Sequence, residues 1–245
     1  YHNATNYTVF YVIQAAPEII IDVDNVTYGN ETLIVVTLPE DATGNVTVKI
    51  NDTYYVFDTQ NLTDGKAILP GIVLPVGNYT VEVTYNGDEN YAVNTNSANF
   101  TIFKATPMLN ITAEDIYYGE EANITVTVPD GVTGNITIKI NGTDKNITLP
   151  IVDGKVNWIV EGLAADNYTV YADYSGDGKY DVNNTNETFE VRQISPNVEI
   201  IYVDSVAGEN ATIIVRVDPR VTENVTINVN NKVYSMAVDE DGIAV

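Results

Sequence analysis

Asparagine followed two residues later by threonine is the pattern in this chain that could carry covalent chemistry, because Asn-x-Thr is the acceptor for N-linked sugar on exported proteins. Nineteen such sites occur, at Asn3, Asn6, Asn25, Asn30, Asn45, Asn51, Asn61, Asn78, Asn99, Asn110, Asn123, Asn135, Asn141, Asn146, Asn167, Asn183, Asn186, Asn210 and Asn224. Chance placement would supply roughly four. In a strand, residues i and i+2 share a face, so an Asn/Thr-rich outer face raises that expectation about two- to threefold and still leaves an excess. Asn45, Asn135 and Asn224 recur in register, as do Asn78 and Asn167. With Asn30, Asn123 and Asn210 they form the candidate glycosylation set, and they point to an extracellular chain.

The remaining chemistry-bearing residues argue mostly by exclusion. There is no cysteine and one histidine, His2, which leaves no Cys/His zinc cluster, thiol nucleophile or Ser-His-Asp triad in the body of the chain. The 34 acidic against 11 basic residues give a net charge of -23, and such a chain repels a polyanion. Nucleic acid is therefore not an expected partner. The carboxylates are scattered, without the close pair a glycosidase needs. Asp22/Asp24 and Asp239/Glu240/Asp241 could offer oxygen ligands to calcium, but neither resembles an EF-hand loop and both read as solvated turn acids. Asp88 and Asp177 recur in Gly-Asp turns and read as turn-stabilising groups. No cofactor is expected, and no catalytic or metal site.

Lys49 and Lys139 raise the chemistry of a lysine-asparagine crosslink, which needs a buried lysine. Alternation places both outward. Trp158 occurs in one repeat only, so it reads as strand or core filler instead of a repeated ligand platform.

The elements that position these residues are set by an internal repeat. Tyr1, Tyr91 and Tyr180 are each followed by Phe10, Phe100 and Phe189, by Val12, Ile102 and Val191, and by Pro17, Pro107 and Pro196. Tyr28-Gly29 matches Tyr118-Gly119, and Gly77-Asn78-Tyr79-Thr80-Val81 matches Asp166-Asn167-Tyr168-Thr169-Val170. The period is 89 to 90 residues. It predicts the last strand of a preceding unit over 1 to 15, complete units over 16 to 104 and 105 to 193, and the first half of another over 194 to 245. The short unit would expose an apolar face, as expected of a window on a longer array or of a module completed by another molecule.

Within each unit the apolar period is two. Ile34, Val36 and Leu38, then Val46, Val48 and Ile50, alternate with Val35, Thr37, Thr47 and Lys49. This is the pattern of half-buried strands, and no segment offers a helical stripe or a long apolar run able to span a membrane. The spacing predicts an all-β chain of tandem immunoglobulin-like sandwiches, about seven strands per unit. In that fold a tyrosine near the start of the sixth strand bonds back to the backbone, a role that falls on Tyr79 and Tyr168. Val81 and Val170 occupy the place of the antibody cysteine. Pro107 and Pro196 mark the junctions, where fixed φ predicts short, stiff hinges and a rod.

These motifs, with Tyr-Asn-Gly-Asp-Glu-Asn-Tyr (85 to 91) and Tyr-Ser-Gly-Asp-Gly-Lys-Tyr (174 to 180), resemble the bacterial-type immunoglobulin-like repeats of adhesin-like surface proteins of methanogenic archaea. The last unit departs from the pattern, with Ala207-Gly208 for Tyr-Gly and no turn glycine over 220 to 224. The resemblance implies a non-enzymatic cell-surface stalk. Its partners would be further repeats or other copies of the same chain, and a ligand on a host-cell or microbial surface. The competing expectation is a filament or surface-layer subunit joined by strand complementation.

Overall fold

The computed structural model describes residues 5–51 and 55–245, with the backbone alone over 55–61. Tyr1, His2 and the sequon at Asn3 lie outside the described residues, as does the side chain of Asn61. The chain divides into two compact units, Tyr1–Pro107 with Gly176–Val182, and Met108–Ser175 with Asn183–Val245. Strands are the regular secondary structure throughout, so the chain is all-β.

In the first unit the strands are β1 (Ile20–Val23), β2 (Val26–Thr27), β3 (Glu31–Thr32), β4 (Ile34–Thr37), β5 (Asn45–Ile50), β6 (Tyr55–Asn61), β7 (Lys66–Ile68), β8 (Ile72–Val73), β9 (Gly77–Tyr85) and β10 (Asn94–Phe103). They build a three-stranded sheet, β1-β4-β7, a five-stranded sheet, β2-β10-β9-β5-β6, and a small β3-β8 pair. The alternating residues close the space between the sheets. Ile34 and Val36 of β4, Val46, Val48 and Ile50 of β5, Val81 and Val83 of β9, and Phe100 and Ile102 of β10 are at most 2% exposed. Burying each such Val or Ile stabilises the sandwich by about 1.5–3 kcal/mol relative to exposure.

The second unit repeats the plan with β11 (Asn110–Ala113), β12 (Ile116–Tyr117), β13 (Ala122–Thr127), β14 (Asn135–Ile140), β15 (Asn146–Pro150), β16 (Lys155–Val160), β17 (Asn167–Tyr174) and β18 (Asn183–Arg192). Sheets β11-β13-β16 and β12-β18-β17-β14-β15 enclose Ile124, Val126, Ile136, Ile138, Val170 and Phe189. The expected seven strands become eight here, and ten in the first repeat. Part of the reason is that the opening strand switches sheets: β1 pairs antiparallel with β4, whereas β2 pairs parallel with β10. β11 and β12 make the same switch.

Tight turns follow the sequence. At Asp64-Gly65 and Asp153-Gly154 both residues have positive φ, from 49° to 71°, and Thr63 and Lys66 exchange backbone bonds of 2.9 and 3.0 Å. This is the two-residue hairpin turn whose twist suits the flanking strands.

The rest of the second unit is β19 (Glu199–Asp204), β20 (Thr212–Arg216), β21 (Val225–Val229), β22 (Lys232–Met236) and β23 (Ile243–Ala244). They form sheets β19-β20-β23 and β21-β22, whose buried centre is Val215, Val217, Val225 and Ala244. Residues 5–14 form no strand, and Ala15 bridges to Tyr91.

Candidate functional site

The candidate glycosylation residues lie on the polar outer faces or in turns. β9 and β10 run antiparallel with Asn78 opposite Thr101 and Thr80 opposite Asn99. Two sequons thereby face each other head to tail. Thr80 Oγ1 donates to Asn99 Oδ1 at 2.8 Å, and Thr101 Oγ1 donates to Asn78 Oδ1 at 3.0 Å. Each threonine of one sequon holds the asparagine of the other by its oxygen, leaving both exposed asparagines to present nitrogen to solvent.

Asn45 is half-buried and accepts from Asn86 Nδ2 at 2.6 Å. Asn123, Asn135, Asn167 and Asn210 are exposed. Asn30 is exposed too but donates to Thr27 Oγ1 at 2.7 Å, and exposed Asn224 donates to Ser235 at 3.3 Å. Asn167 lies opposite Glu190 and Thr169 opposite Thr188, so the reciprocal arrangement of the first repeat is not made in the second. Lys139 points outward, 3.2 Å from Asp173, with both side chains about half exposed. Trp158 is half-buried on β16, opposite Ile124.

Four tyrosines in the long strands separate into two classes. Tyr79 donates to the carbonyl of Pro75 at 2.8 Å, and Tyr168 to that of Ala164 at 3.1 Å, each reaching back four residues. Their rings stack on Phe100 and Phe189 at 5.4 and 5.6 Å. Sequence reasoning missed a second pair, Tyr85 and Tyr174, which are 0% and 2% exposed and donate to the carbonyls of Thr43 and Thr133 at 2.7 and 2.8 Å. These bonds span 42 and 41 residues and tie the end of the long strand to the loop before β5 or β14. Their recurrence 89 residues apart was the available signal. Burial, with Asp88 nearby, pushes the Tyr85 hydroxyl up to about 12.

Asp88 organises the neighbouring turn. Its carboxylate accepts from Asn90 N and Tyr91 N at 2.8 and 2.7 Å, and from Thr43 N and Oγ1 at 2.8 and 3.0 Å. The Thr43 N–H, aided by those of Tyr91 and Asn90, holds its pKa well below the usual carboxylate range. Asp177 accepts from Lys179 N and Tyr180 N at 2.7 Å each. The same turns receive the chain ahead of each proline: Ala15 N donates to Asn90 O at 2.9 Å, and Ala105 N to Lys179 O at 3.0 Å. Pro107 is buried, whereas Pro196 is exposed and accepts from Asp218 N at 2.9 Å. Arg220 pairs with Asp218 and donates to Tyr118 O at 3.2 Å; its guanidinium draws the Asp218 carboxyl down to about 2.

Among the described residues no group of three His, Cys, Asp or Glu is placed to hold a metal, and Asp22, Asp24, Asp239, Glu240 and Asp241 form no such group. Asp239 instead accepts from the backbone of Asp241 and Ile243.

Beside β21 lies an open groove of about 590 Å³ with Ile213, Ile227, Tyr234 and Met236 among its walls.

The family model of the bacterial Ig-like domain (group 3) matches residues 21–102 and again 109–192. No curated protein matches the chain. Among solved structures, the chain is similar to titin domains Z1Z2 in complex with telethonin, at 13% identity, 75% of this chain, 100% of that one and a TM-score of 0.41. Fibronectin(III)-like modules of Clostridium thermocellum CbhA align at 16% identity over 72% and 95% of the two chains, TM-score 0.30. A segment of a 1.5-MDa bacterial ice-binding adhesin aligns at 16% identity over 95% and 87%, TM-score 0.33.

Proposed function

The chain belongs to the bacterial Ig-like domain (group 3) family, in two tandem copies, and from that premise we propose that it is a non-enzymatic extracellular structural and adhesive protein. In this reading it is a glycosylated rod of Ig-like repeats, the stalk of an adhesin-like protein on the surface of a methanogenic archaeon. The stalk carries a distal region toward a ligand on a host-cell or microbial surface.

The observation that carries the reading is the outer face of the five-stranded sheet, where Asn78, Thr80, Asn99 and Thr101 make a polar ladder of sugar-acceptor motifs over a dry core. Such a face gains solubility from sugar and negative charge without disturbing the inward Val and Ile rows. Mass spectrometry of peptides from material of the natural host tests it: glycan-bearing Asn45, Asn78, Asn135 and Asn167 are expected, and unmodified asparagine at all four overturns the glycan claim. Electron microscopy of the same material tests the stalk, for which single flexible rods are expected.

A further inference from the structure

The second repeat carries an aromatic residue that its core does not absorb. Trp158 lies on β16 opposite Ile124, in the inward row between Val156 and Val160, which are 3% exposed each. Its counterpart in the first repeat is Leu69, which is 1% exposed and donates its N–H to the carbonyl of Ile34 at 3.0 Å. A core packed to crystal density has room there for an isobutyl group and not for an indole, so Trp158 stays half-buried. It forms part of the wall of an open groove of about 370 Å³, together with Asp144, Asn146, Ile159 and Glu161.

Asn146 opens the sequon Asn146-Ile147-Thr148 and is exposed at the start of β15, opposite Lys139. In the first repeat Val56 stands opposite the equivalent Lys49, so that repeat has neither this sequon nor the tryptophan. The two features occur in the same repeat and line the same groove. Building on the glycan reading, we propose that Asn146 carries an N-linked sugar whose first ring lies on the face of Trp158.

The amide is already oriented for this. Asn146 Nδ2 donates to Asp144 O at 3.1 Å, which uses one of its two hydrogens. Transfer replaces the other: a bond forms from Nδ2 to C1 of the sugar, the C1–O bond of a phosphate-linked sugar donor breaks, and the displaced proton leaves with the phosphate. The retained N–H holds the amide plane and so the direction in which the sugar leaves the strand. A pyranose has an apolar C–H face, and laying it on the indole removes apolar surface of both from water. Hydroxyls at its rim then meet the exposed carboxylates of Asp144 and Glu161, which accept hydrogen bonds. An aromatic floor edged by a few polar groups is the arrangement that orients a small ligand.

In material from the natural host, mass spectrometry of the peptide spanning Asn146 should find a glycan there. Asn146 unmodified beside a glycan-bearing Asn45, Asn78, Asn135 or Asn167 overturns this inference alone, whereas unmodified asparagine at every sequon overturns the wider glycan reading and this one with it. The contact itself is read without any host glycan. The chain has no cysteine and one tryptophan, so the full-chain variant Asn146→Cys, alkylated with an iodoacetamide derivative of N-acetylglucosamine, holds one sugar and one fluorescent reporter. Acrylamide quenching of Trp158 should fall to about half of that in the same variant alkylated with plain iodoacetamide, as expected when one exposed ring face is covered. The same sugar on Asn167→Cys, on β17, should leave the quenching unchanged. Equal quenching with and without the sugar at position 146, or an equal effect from position 167, overturns the contact.

Discussion

Tyr174→Phe removes one oxygen from the second repeat, and the structure says how much that should cost. Tyr174 is 2% exposed and donates to Thr133 O at 2.8 Å. Phenylalanine keeps the ring in its place and leaves that carbonyl without this donor. An unsatisfied, poorly hydrated acceptor costs about 1–3 kcal/mol. Tyr168→Phe is the internal control. Its hydroxyl bond to Ala164 O is longer, 3.1 Å, and Tyr168 is 8% exposed, so water replaces it more readily and the cost is about 0.5–1.5 kcal/mol. The single tryptophan, Trp158, sits on β16 and makes its fluorescence a reporter of this module. With a slope of about 1 kcal/mol per molar urea for a small domain, the Trp158 midpoint should fall by about 1–3 M for Tyr174→Phe and by less for Tyr168→Phe. Equal shifts, or the reverse order with unchanged slopes, would refute the assignment of the long-range bond as the stronger tie.

Three further outcomes follow from other residues. Asp88 has a depressed folded pKa, so its stabilising effect is complete above the unfolded value of about 3.9 and is lost as pH falls through the folded one. Calorimetry of the wild type should show this loss below about pH 4, and Asp88→Asn should show a smaller acid slope with lower stability at neutral pH. Gly65→Ala and Gly154→Ala both place a side chain at φ near +70°, costing about 1–2 kcal/mol, but a Cβ on Gly65 meets Pro39 O at 2.6 Å whereas on Gly154 the nearest atom is Val128 O at 3.4 Å. The first substitution should therefore lower the melting temperature more than the second. Thr32 is 1% exposed with an unpartnered hydroxyl, and its counterpart in the second repeat is Ala122. Thr32→Val should leave the melting temperature unchanged or raise it, by up to about 1 kcal/mol in stability.

The alternation of Ile34-Val36, Val46-Val48-Ile50 and their counterparts determines, without any coordinates, that the chain forms strands with one dry face, because side chains in a strand change sides at every residue. The repeat of those rows determines that the sandwich recurs, and the Asp-Gly pairs determine where hairpins close. Those are local properties, and one-dimensional order suffices to read them. Which groups meet across the sheets is a different matter. That Thr80 holds Asn99 while Thr101 holds Asn78, that Asp88 reaches Thr43 across 45 residues, and that Tyr85 is tied more deeply than Tyr79 all depend on strand order and inter-strand register.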